Sequence, residues 1–147
     1  MKFITLLIFF IMITHQASAS VQDWVQLRKE EKSSLWRSKT IKKSYVSISQ
    51  SKQRAPIPKR TEELINQRKE MLSFSGISDW KISNSKTDKD QLFFEGQYKD
   101  RSGTQTYFFE VHIYSGKEIT QILLTSPERI TYKSIDQLKQ ELIQLHE

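Results

Sequence analysis

The chain has 147 residues, with 23 Lys and Arg against 17 Asp and Glu, for a formal charge of +6. This is the length of one ordinary domain, and eight Phe, five Tyr and three Trp exclude a wholly disordered protein. With no Cys there is no disulfide framework, thiolate metal site or cysteine nucleophile, and four Gly are too few for a glycine-rich phosphate cradle.

The first residues read as an export signal. Lys2 gives a short positive start, residues 3–13 are apolar apart from Thr5, and Ala17-Ser18-Ala19 has the small-x-small form of a cleavage site. A helix of about 11 residues rises roughly 16 Å, about half of the roughly 30 Å hydrocarbon core. An uncleaved anchor is therefore the weaker reading, and cleavage is expected after Ala19, delivering the rest to the periplasm or the exterior.

Residues 20–60 carry the positive charge. From 20 to 70 there are 13 basic and six acidic residues, and from 71 onward nine basic and eleven acidic. Between Glu31 and Glu62 no acidic residue occurs. Ser20 and Asp23 suggest a capped helix over 20–36, with Val21, Trp24, Val25, Leu35 and Trp36 on one face and Arg28 and Lys32 interrupting it. Val46 and Ile48 alternate with Ser, which fits a short strand at 45–49. Ser and Gln enrichment and Ala55-Pro56-Ile57-Pro58 read as an extended linker.

Residues 61–147 read as a small α+β domain. Thr61 precedes Glu62 and Glu63 in the favoured first turn of a helix at 62–73, with Leu64, Ile65, Met71 and Leu72 as its stripe and Gly76 as its stop. Strand patterns follow at 80–84, 92–99, 106–114 and 119–126, separated by turns at 86–90, 100–103 and 115–116, and Pro127 ends the last. Ser134 and Gln137 form a capping box, and Ile135, Leu138, Leu142 and Leu145 set a helix over 135–146. The expected fold is thus α+β. A four-stranded antiparallel meander packs against these two helices, preceded by an N-terminal helix and a basic extended segment.

A four-residue loop at 100–103 would pair Leu92 with Val111, Phe94 with Phe109 and Gly96 with Tyr107, making one face apolar. The other face would then hold Phe93, Glu95, Gln97, Phe108, Glu110, His112 and Tyr114. Phe93, Phe108, His112 and Tyr114 are the candidate partner-binding residues of this outer face, unless the N-terminal helix folds over it. Glu95, Glu110 and His112 share it as a conceivable metal or acid–base set, although no known metal spacing is present. No nucleophile elbow, zinc-protease helix or P-loop occurs.

Arg37, Lys39, Lys42, Lys43, Arg54, Lys59 and Arg60 are candidate anion-binding residues for an anionic polymer or lipid surface. Nucleic acid is disfavoured because an exported protein rarely meets it. The helix at Ser134 also lacks the Lys cluster of a double-stranded RNA-binding domain. Where a cystatin-like hairpin would read Gln-x-Val-x-Gly, this sequence reads Gln97-Tyr98-Lys99-Asp100. The sequence therefore points to a non-enzymatic exported binding module for a protein or peptide, with no cofactor, no catalytic residue and no metal assigned. The alternatives are an anion-binding envelope protein and a small hydrolase.

Overall fold

The computed structural model of the protein describes residues 23–52 and 61–147. The expected export signal, the proline segment, and Arg54, Lys59 and Arg60 lie outside the described residues.

Three strands precede the first helix: β1 (Trp24–Lys29), β2 (Ser33–Ser38) and β3 (Tyr45–Lys52). Then come α1 (Thr61–Phe74), β4 (Ser78–Asp88), β5 (Gln91–Lys99), β6 (Gln105–Ser115), β7 (Glu118–Ser126) and α2 (Ile135–Gln144). All seven strands form one antiparallel sheet in the order β1-β2-β3-β7-β6-β5-β4.

The four-stranded meander is therefore corrected to a seven-stranded sheet with two short helices. The described part of the expected N-terminal helix is the β1–β2 hairpin, and residues 45–52 of the basic segment are β3. The reason is visible in the side chains. Arg28 and Lys32 break any helical stripe, whereas Trp24, Trp36, Val46 and Ile48 line up across neighbouring strands. A sheet ending at β7 would expose a long unpaired edge. β3 pairs along β7 from Tyr45 opposite Thr125 to Lys52 opposite Glu118, and its Val46 and Ile48 extend the floor on which α2 lies.

The helices occupy opposite faces. The apolar stripe of α2, Leu138 and Leu142 with Leu145 beyond it, packs on Trp24, Val46, Ile48, Phe93, Phe109, Val111, Ile122 and Leu124. Ser134 caps α2, its hydroxyl accepting from the Gln137 N–H at 3.2 Å. On the other face Leu64 of α1 joins Leu92, Phe94, Phe108 and Tyr114. Thus α1 covers β4 and β5, and α2 spans the sheet.

Register differs from the sequence expectation by one residue. Phe94 stands opposite Glu110, Leu92 opposite His112 and Phe93 opposite Val111. The β5–β6 loop holds five residues, not four. Asp100 and Thr104 close it (Asp100 N–H to Thr104 C=O, 3.0 Å), the Asp100 carboxylate accepts from the N–H groups of Ser102 and Thr104 at 2.9 Å, and Gly103 supplies the positive φ of 80°. One extra loop residue flips the relation between the two strands' faces. The expected turn at 86–90 also shrinks, because β4 runs through to Asp88.

Candidate functional site

The four candidate partner-binding residues do not share one surface. Phe108, His112 and Tyr114 lie on the α1 face, whereas Phe93 lies on the α2 face and stacks on Phe109 with ring centroids 5.6 Å apart. All four are buried, none more than 7% exposed. Phe108 is sealed by the parallel ring of Trp80, 5.9 Å away, and by Tyr98. The described cover over this part of the outer face is α1 and Trp80 of β4, while the described residues of the expected N-terminal helix form β1 and β2 at the other end of the sheet.

Beneath α1 sits a buried polar cluster. The Glu110 carboxylate, on β6, gathers three side chains from three elements at its Oε1. The Arg68 guanidinium donates from α1, the Gln121 amide from β7 at 2.7 Å, and His112 Nε2 lies 2.6 Å away on the same strand. Burial by itself raises a carboxyl group. The hydrogen bond to His112 and the charge of Arg68 outweigh it, so Glu110 sits below the ordinary carboxylate value. A charged group that ties a helix to a sheet and is satisfied in this way is costly to disrupt. The cluster holds α1 down on the sheet.

Glu95 belongs to neither this cluster nor this face. It pairs with Phe109 across the ladder, on the α2 side, and accepts from the Tyr132 hydroxyl. The sheet therefore divides the Glu95/Glu110/His112 set, and the three do not assemble. Among the described residues, no group of three or more His, Asp and Glu is placed to hold a metal ion. Around Glu95 a cleft of about 270 Å³ opens between β5, β6 and the segment leading into α2. Arg129, Tyr107, Tyr132 and Ser83 line it over a floor of Phe109 and Leu138. Burial, and next the hydrogen bond to Glu95, push the Tyr132 phenol well above its usual value, so it remains a donor.

The other half of the outer face is open. On β1, β2 and β3 the side chains opposite the α2 core are Val25, Arg28, Leu35, Arg37, Tyr45, Ser47, Ser49 and Ser51. Val25 and Leu35 are half-buried, the two arginines and three serines are exposed, and Tyr45 is 36% exposed. Of the two described helices, α2 packs on the opposite face and α1 packs against β4 and β5.

Of the candidate anion-binding residues, Arg37, Lys39, Lys42 and Lys43 cluster at one end of the β2–β3 hairpin and are exposed. The loop that bears the lysines is fixed. The Ser38 hydroxyl accepts from the N–H groups of Thr40 (3.2 Å) and Ile41 (3.0 Å), Ile41 is buried as a plug, and Lys43 takes a φ of 60°.

Arg68, Gln121 and Tyr132 lie outside what the sequence patterns pick out. Arg68 alone leaves a signal there, because it stands between Leu64 and Leu72 at helical spacing and so must meet the buried face.

No family model matches the protein, and neither does any curated protein. Among solved structures, a crystal structure from Bacteroides thetaiotaomicron VPI-5482 is similar at 15% identity and a TM-score of 0.42, over 78% of the present sequence. The match spans 39% of that protein's length.

Proposed function

We propose that the protein is an exported, non-enzymatic binding module that docks an acidic protein on the open half of its outer sheet face. The observation that carries this reading is the contrast across β1, β2 and β3. Trp24, Val46 and Ile48 are sealed on one side, while Val25, Leu35 and Tyr45 are left among Arg28, Arg37 and serines on the other. Apolar and aromatic groups inside a polar, positively charged rim have the anatomy of a recognition surface. No acidic residue lies between Glu31 and Glu62, so the charge of this region is complementary to an acidic partner.

Export is supported by the Lys2 start, the apolar run and the Ala17-Ser18-Ala19 site. The non-enzymatic reading is supported by Arg68, His112 and Gln121 converging on Glu110 Oε1 and by Glu95 lying on the other side of the sheet.

A photo-crosslinking residue at position 45 tests the proposal in the native compartment. The expected product is an acidic protein whose yield falls steeply with salt and is lost in Arg28→Glu/Arg37→Glu, a variant whose melting stays that of the parent. Salt-insensitive products, or products containing only further copies of this protein, overturn it. Leu35→Ser separates the alternative of an anionic polymer, because charge-only binding survives that change and protein docking does not.

A further inference from the structure

We infer that the cleft on the α2 face binds a small zwitterion, an α-amino acid or a ligand of that size bearing an ammonium and a carboxylate. The site is distinct from the docking face, since Glu95, Phe109 and Tyr132 lie on the opposite side of the sheet.

The cleft is built, not incidental. β4 carries a bulge between Ile82 and Asn84, which places Ser83 at the cleft. Bulges of this kind re-aim side chains beside functional sites. The Ser83 hydroxyl donates to the backbone carbonyl oxygen of Glu95 at 3.3 Å. Next to Glu95, β4 and β5 approach so closely that a Cβ on Gly96 would lie 2.0 Å from the Lys81 carbonyl oxygen. Only glycine permits this wall.

The Glu95 carboxylate is held in place by the Tyr132 hydroxyl at Oε2. A carboxylate accepts at both oxygens, so it keeps capacity for a donor from a ligand. The Tyr132 ring is itself fixed edge-on against Phe109, with centroids 6.3 Å apart. Arg129 lines the same cleft, and its charge acts on the Tyr132 phenol in opposition to Glu95. Glu95 and the solvent-exposed Arg129 thus line one small space over Phe109, Leu124, Ile130 and Leu138. The volume, about 270 Å³, lies just below the roughly 300–1,000 Å³ of small-molecule sites, which fits an amino acid better than a larger ligand. In the bound state an ammonium meets Glu95, a carboxylate meets Arg129, and the ligand's apolar part rests on the floor of the cleft.

The test uses the full-length protein and a panel of the twenty amino acids. Calorimetry and ligand-detected NMR are run beside amines and carboxylic acids that each lack one of the two charges. At least one amino acid with an apolar side chain is expected to bind saturably, and its singly charged analogues more weakly. Arg129→Ala should weaken it about ten- to hundredfold, the loss of one charge-assisted hydrogen bond. Glu95→Gln keeps an acceptor for Tyr132 and so the fold, and should remove the preference for ammonium over a neutral analogue. The proposal is overturned if no amino acid binds saturably at millimolar concentration, or if affinity survives both substitutions in proteins that melt like the parent. Arg28→Glu/Arg37→Glu should leave amino-acid binding unchanged.

Discussion

The two ends of the sheet use the same architecture differently. Around β5 and β6 both faces are covered, and runs of consecutive residues are buried: Leu92, Phe93 and Phe94 on one strand, Phe108 through His112 on the next. On β3 burial alternates, with Val46 and Ile48 inside and Tyr45, Ser47 and Ser49 outside. The first pattern belongs to a strand sandwiched between layers, the second to a strand with one wet face. Burial on both faces is therefore concentrated around β5 and β6, and an open outer face at the β1–β3 end.

The largest test of that contrast is Phe94→Ala. The ring is fully buried and makes edge contacts with Trp80 and Phe108. Its removal should cost about 3–5 kcal/mol in urea unfolding. Tyr45→Ala, at the open end, should stay within about 0.5 kcal/mol. Equal losses at the two sites would show that the open face is in fact packed.

Next comes the tether of α1. Arg68→Ala leaves the Glu110 carboxylate buried without its cation and should cost about 3 kcal/mol, at the lower end for breaking a buried pair because Arg68 is partly exposed. The same cluster predicts a pH dependence. Since the folded protein holds Glu110 below the unfolded value of about 4.3, its contribution is complete above that value and fades as pH falls through the folded one. Glu110→Gln should flatten the acid limb of the stability profile. An unchanged acid limb would mean that other carboxylates govern it.

How much of this is legible in the sequence depends on which end is considered. The helices announce themselves through Ser134 with its capped turn and through Glu62 and Glu63, because those signals are local. The strands at the covered end are visible but easily misread. Leu92-Phe93-Phe94 and Phe108-Phe109 are apolar runs, not alternations, and an apolar run means burial on both faces. Assuming one open face leads to a register that matches apolar to apolar, with Phe94 opposite Phe109. The actual pairing sets Phe94 against Glu110, tolerable only because Arg68, His112 and Gln121 converge on that carboxylate. Arg68 stands 42 residues away and Gln121 on the next strand, so no local pattern reveals them. At the open end the difficulty is another one. Residues 24–38 carry little intrinsic preference, and their strand state is set by β3 pairing with β7, across the whole of the intervening helix and hairpins.

Gly96→Ala probes the covered end more gently. The added methyl must displace the Lys81 carbonyl, so a cost of about 1–3 kcal/mol is expected, with loss of the bulge at Ser83 read by amide exchange on β4. Ser134→Ala should cost about 1 kcal/mol by removing the cap of α2.

A small effect is also expected elsewhere at the open end. Arg28 and Glu30 form an ion pair of 3.4 Å in which both side chains are more than half exposed. Water and salt screen such a pair, and Glu30→Ala should change stability by less than about 1 kcal/mol. The substitution nevertheless bears on the comparison, because it unmasks Arg28 on the face proposed to meet an acidic protein. If that face exists to recognise charge, the variant should bind its partner faster at low salt and lose the advantage as ionic strength rises, with melting unchanged. A marked drop in stability instead would assign Glu30, which also accepts from the Ser33 hydroxyl at 3.1 Å, to holding the β1–β2 turn. The charge of the open face would then be a by-product of its folding and not the basis of its recognition.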